Sequence, residues 1–125
     1  MRIRLFVGSL VAAAVCTGGV FAVNNSAPKA SPKTVKEVMK IAHDKEAGIL
    51  KKILSGGASD AEKKQLLDLY IDMAEGEPKK GDKAEWKIAA SAAALSAGKV
   101  VLGREGAIEE LTKTSDCKAC HSKFK

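Results

Sequence analysis

Aromatic side chains are scarce in this chain. Among its 125 residues there are one Trp, one Tyr and three Phe. Two of those, Phe6 and Phe21, fall within the first 22 positions. A domain made from the remainder has only Tyr70, Trp86 and Phe124 as rings, a thin supply for an apolar core. Long runs of one charge are also missing. The formal net charge is +6, but Lys stands mostly beside Glu or Asp. That pattern reads as a solvated mixed surface and argues against a nucleic-acid partner. No alternating strand pattern, internal repeat or low-complexity tract is present. Cysteine occurs only at Cys16, Cys117 and Cys120.

Residues 1–22 have the form of an export signal. Arg2 and Arg4 make a short basic start, and residues 5–15 are apolar and uncharged. Val20 and Ala22 stand at the two positions that a signal peptidase reads, so cleavage after Ala22 is expected. An uncleaved anchor is the other reading, since residues 5–23 are about long enough to span a bilayer. Lipid attachment at Cys16 is disfavoured by the bulky Val15 before it. Cleavage removes Arg2 and Arg4, which lowers the net charge from +6 to +4. It also removes Cys16, leaving two thiols in an oxidising compartment, periplasmic or extracellular. After cleavage no segment is expected in the membrane.

Residues 23–33 are polar and Pro-bearing and read as a flexible leader to a single domain over 34–125. Four helical segments follow. Thr34 with Glu37 and Ser59 with Glu62 have capping-box form. The first segment carries Val35, Val38, Met39, Ala42, Ile49, Leu50 and Ile53 at helical spacing and stops at Gly56-Gly57. The second carries Leu66, Leu67, Tyr70, Ile71 and Ala74 and ends at Gly76-Glu77-Pro78. The third starts at Asp82 and runs through Trp86, Ala89, Ala90, Ala93, Leu95, Ala97, Val100 and Val101 to Gly103. The fourth begins near Arg104 with Ile108 and Leu111. Four helices with short connections predict an all-α fold, an antiparallel four-helix bundle.

The fourth helix ends in Cys117-Lys118-Ala119-Cys120-His121. Cys-x-x-Cys-His is the attachment pattern of c-type haem. Two thiols three residues apart lie on one side of a helical turn, and each can form a thioether with a haem vinyl group. The adjoining imidazole of His121 then reaches the iron. A buried porphyrin would also supply the apolar surface that the missing aromatics do not. Three other readings compete. A dithiol redox pair would sit in a βαβ setting. A structural zinc site would need His43 as a distant fourth ligand. A Cys117–Cys120 disulfide would close a very small ring. Cys117, Cys120, His121 and Phe124 share one helix face, while Ile108 and Leu111 point to a partly adjacent one. Either the helix lies between haem and core, or it kinks near Ser115-Asp116.

An export signal, four helices and a C-terminal Cys-x-x-Cys-His followed by Ser122-Lys123-Phe124-Lys125 together resemble the class II cytochromes c, the cytochrome c′ group. The resemblance covers residues 33–125. It implies one covalent haem c with its iron, held by Cys117 and Cys120, with His121 as axial ligand. Lys125 takes the place of a basic residue, often Arg, that follows the aromatic. The family divides by its sixth ligand. Relatives with an apolar distal residue bind small gases, and those with methionine on the first helix carry electrons. Met39 stands about where that residue falls, so His121 and Met39 are the expected axial pair. A core role for Met39 is the plainer alternative. His43, four residues later on the same face, is a less favoured ligand. Trp86 and Phe124 are candidates for packing against the haem. The resemblance implies electron transfer between unidentified redox partner proteins rather than catalysis, allows a homodimer, and leaves gas binding at an open distal site as the alternative.

Overall fold

The computed structural model describes residues 32–125. The expected signal over residues 1–22, Cys16 within it, and the leader up to residue 31 lie outside the described residues. The rest is all-helical: α1 (Val35–Ala42), α2 (Ile49–Leu54), α3 (Asp60–Glu75), α4 (Lys83–Val101), α5 (Ala107–Thr114) and α6 (Cys117–Phe124). No described helix is long and apolar enough to cross a membrane.

Local chemistry sets the helix starts. The Thr34 and Glu37 side chains each bond the other's backbone N–H, and Ser59 and Glu62 do the same at α3. Both capping boxes are therefore formed, closing N–H groups that a helix leaves without partners. At α4 the Asp82 carboxylate accepts the Glu85 N–H at 2.8 Å.

Six helices stand where the sequence predicts four. The first predicted helix is broken between Ala42 and Ile49. There the Asp44 carboxylate accepts the N–H groups of Glu46 and Ala47 at 2.9 and 2.8 Å, a local alternative to the helical ladder. Gly48 closes the turn so tightly that a Cβ would lie 2.4 Å from the Asp44 carbonyl oxygen. The fourth predicted helix is broken at Ser115-Asp116, which decides for the kink. Ser115 ends α5 by donating its N–H to Leu111, and Asp116 begins α6.

Consecutive stretches run back along one another. Lys52 pairs with Glu62 and Val35 lies against Gly76, so α1 and α2 run antiparallel to α3. The Trp86 indole N–H donates to the Gly76 carbonyl at 3.1 Å, tying the start of α4 to the end of α3. Lys99 holds both carboxylate oxygens of Glu110, and Thr114 donates to Ser96 at 3.0 Å. α5 therefore descends along α4, and α2 also touches α5.

Leu66, Leu69 and Tyr70 of α3, Val38 of α1, and Leu111 of α5 are at most 1% exposed. Each large aliphatic side chain buried in this way contributes about 1.5–3 kcal/mol. Between Trp86 and Val100, α4 contributes Ala90, Ala93 and Ala97, which let neighbours approach closely. Three residues expected on apolar faces point outward instead: Ile71 and Ile108 are each 38% and Leu95 60% exposed. Leu95 stands two residues from both Ala93 and Ala97, roughly the far side of a helix with 3.6 residues per turn.

Candidate cofactor site

α6 shapes the site because it leaves the helical body and returns to it. At its start the Asp116 carboxylate accepts the N–H groups of Lys118 and Ala119 at 2.9 and 3.1 Å. At its end Phe124 is buried and packs edge to face on Trp86. Gly81 receives that end. Its φ is +89°, and a Cβ there would lie 2.6 Å from the Lys123 carbonyl oxygen and 2.9 Å from the Phe124 ring. An exposed Lys123–Glu85 pair at 3.7 Å adds little.

Between α6 and the body is a cavity of about 840 Å3. Cofactor and ligand sites typically span ~300–1,000 Å3. Cys117, Cys120 and His121 line it from α6. Met39 and His43 line it from α1 and its cap, and Tyr70 and Met73 from α3. On α4, Trp86 lines it together with Ala89, Ala90, Ala92 and Ala93, whose small side chains take up little of the space. Phe124 and Lys125 complete it, so every residue singled out from the sequence as a haem contact faces this one cavity. Exposed lysines at Lys45, Lys113, Lys123 and Lys125 also border it.

Both thiols are free, Cys117 exposed and Cys120 partly buried. Burial pushes the Cys120 thiol above its ordinary pKa, and the nearby Cys117 adds to the effect. Among the described residues no three His, Cys, Asp or Glu side chains are gathered tightly enough to hold a metal ion directly.

His43 caps the end of α1, its N–H donating to the Met39 carbonyl at 3.1 Å. Its Nε2 lies 3.1 Å from the Tyr70 hydroxyl, and the two rings stack with centroids 5.7 Å apart. Burial lowers the His43 pKa, and the charge of His121 lowers it further. Tyr70 is fully buried, and desolvation drives its pKa far up, so the phenol stays neutral. A buried hydroxyl without a partner costs about 1–3 kcal/mol, and His43 meets that need.

Tyr70, Met73 and Asp116 enter the site without having been assigned to it from sequence. Asp116 had a readable signal, since Asp before a helical run is a preferred N-cap. Tyr70 had none, because its partner lies 27 residues away. Compared with known protein families, with characterised proteins and with solved structures, the chain matches none.

The site's own features fit a covalently held haem. Two reduced thiols stand one turn apart on a capped helix, with an imidazole beside them. They border a cavity of cofactor size with mostly apolar and alanine walls.

Proposed function

We propose that this chain is an exported monohaem c-type cytochrome that carries single electrons between redox partner proteins. The observation that carries this reading is the lining of one cavity by Cys117, Cys120 and His121 on α6 and by Met39 on α1. We further read the six helices as four legs of an antiparallel bundle: α1 with α2, α3, α4, and α5 with α6. The antiparallel contacts along α3 and α4, and the touch of α2 on α5, support that reading.

A haem bound here would supply a one-electron Fe(III)/Fe(II) couple. Cys117 and Cys120 would hold it by thioether bonds, each made by adding S–H across a vinyl group with no net oxidation. His121 would be the proximal ligand. The Met39 thioether would be the sixth ligand and would favour the reduced iron. Trp86 and Phe124 would exclude water from one edge, and the α4 alanines would make room for the ring. The bordering lysines would present a positive surface to acidic partners. Electron carriage asks for no catalytic side chain, and none is assigned.

A second reading follows from Met39, which is partly buried and packs against the core. Should its side chain stay there, the distal position is open and the protein binds small gases such as nitric oxide.

The test is the absorption spectrum of the protein matured with haem, oxidised and reduced, with carbon monoxide added to the reduced form. A low-spin spectrum with the methionine–iron charge-transfer band, unmoved by the gas, supports electron transfer. A high-spin spectrum that shifts at once supports the gas-binding reading. Absence of covalent haem overturns both.

A further inference from the structure

We propose that Tyr70 is a positioning residue that holds His43 off the iron and so leaves the sixth position to Met39. The inference rests on the haem reading above. Met39 and His43 are four residues apart, share a helix face, and both border the cavity. By position alone either could serve, and imidazole is a common axial ligand in haem proteins.

The difference between them lies in their partners. The Met39 side chain packs against the core, and its thioether is at most a weak acceptor, so on turning to the iron it would give up packing but no strong hydrogen bond. His43 is held twice. Its Nε2, the nitrogen at the tip of the ring, lies 3.1 Å from the Tyr70 hydroxyl, and the rings stack at an interplanar angle of 22°. Whichever of the two atoms carries the proton, the Nε2 site is engaged and would have to leave the hydroxyl before it could bind a metal. Tyr70 reaches this point from the interior of α3 with no exposure of its own. If His43 swung towards the iron, that hydroxyl would give up its contact with the imidazole and keep only Ser115, whose own proton goes to the Leu111 carbonyl, so that Ser115 can serve the phenol only as an acceptor. Burial and the charge of His121 both disfavour the protonated imidazole. The restraint on the ring that the geometry shows is the tyrosine hydroxyl.

The experiment uses the full chain matured with haem, as wild type, Tyr70→Phe and the double variant Tyr70→Phe/His43→Gln. It reads the methionine–iron charge-transfer band and the midpoint potential. Tyr70→Phe keeps the ring and removes only the oxygen. It is expected to lose the band and to fall in potential, as imidazole replaces thioether. The double variant is expected to regain the band. A Tyr70→Phe protein with the wild-type band and potential overturns the inference and leaves the cytochrome reading intact. A wild type already carrying two imidazoles does the same. A wild type with an open distal site overturns both the Met39 assignment and the inference, and a wild type without covalent haem overturns the whole reading. Should Tyr70→Phe fail to fold, the histidine 15N NMR spectrum of the reduced wild type decides instead. One iron-bound imidazole, from His121, together with the methionine–iron band in the oxidised protein supports the inference, and two imidazoles or an absent band overturn it.

Discussion

Trp86 and Phe124 meet edge to face, with ring centroids 5.3 Å apart and planes at 79°. They are two of only three Trp, Tyr and Phe residues in the domain, and their contact closes the loop that α6 makes away from the body. The indole N–H is at the same time committed to the Gly76 carbonyl. One aromatic pair thus joins the α3–α4 connection, the start of α4 and the C-terminal helix, and both rings line the cavity.

Phe124→Ala should therefore release α6. Truncating a buried Phe costs about 3–5 kcal/mol, a large share of the ~5–15 kcal/mol that stabilises a domain. The expected result is a midpoint shift in urea unfolding with loss of the near-UV signal from Trp86. A variant as stable as wild type would mean that α6 is not docked through this ring.

Gly81→Ala tests the other side of the same contact. Position 81 combines a φ of +89° with a Cβ path blocked by the Lys123 carbonyl oxygen at 2.6 Å. The backbone conformation alone costs a residue with a Cβ about 1–2 kcal/mol, and backbone must move to clear the contact. Gly56→Ala is the control. It also has positive φ, at +78°, but nothing lies within 4 Å of its Cβ path. Thermal unfolding should rank Gly81→Ala below Gly56→Ala, and equal losses would argue against the steric part.

Much of this arrangement is legible from the residues, and what is not has a common cause. Thr34 with Glu37 and Ser59 with Glu62 announce their helices because both partners of each cap lie three residues apart. Cys117, Cys120 and His121 stand out for the same reason. The break after Ala42 depends on the Asp44 side chain competing for backbone N–H groups and on Gly48 passing within contact distance of Asp44. Neither is visible in the apolar spacing, which runs on from Ala42 to Ile49 as though the helix continued. The pairing of Tyr70 with His43 and the docking of Phe124 on Gly81 join residues far apart in sequence. Leu95 misleads because apolar character says nothing about a face: it stands in line with Ile88 and Leu102, seven residues to either side, and all three are at least 60% exposed.

The two cysteines are separable by mass. With haem maturation in place, wild type should carry one haem that survives denaturation. Cys117→Ser and Cys120→Ser should each retain at most one thioether, and the double variant should lose the haem on denaturation. Denaturing mass spectrometry reads the outcome. Haem that stays attached to the double variant would remove the thiols from the account.

Ala93→Leu asks whether the cavity is needed. Ala93 is 2% exposed on α4 and borders the cavity. Three added carbon atoms there intrude on the space beneath α6. Overpacking costs about 1–3 kcal/mol, so the apoprotein should fold with a lowered midpoint. Haem incorporation, read as the ratio of Soret to protein absorbance, should fall far more than stability does. Full incorporation in a folded Ala93→Leu protein would place the haem elsewhere.

The pH dependence of apoprotein stability should carry the mark of His43. Its folded pKa is depressed by burial and by the charge of His121, whereas an unfolded histidine titrates at about 6.5. Below that value the unfolded chain binds a proton that the folded chain binds less readily, so stability falls with falling pH. The contribution is whole above about pH 6.5 and declines from there down to the folded pKa. Glu37, Asp44 and Glu62 act with the same sign in a lower window. Their pKa values are held down by the Thr34 N–H, the Ala47 N–H and the Lys52 ammonium respectively, so their effect begins only within the carboxylate range. The two windows can be told apart by urea unfolding at closely spaced pH values. In wild type the midpoint should begin to drop just below neutrality. In His43→Gln, which can still bond the Tyr70 hydroxyl, it should stay flat until the carboxylates titrate. A wild-type midpoint that is level from neutrality down to the carboxylate range would mean that His43 is not sheltered from water in the folded protein.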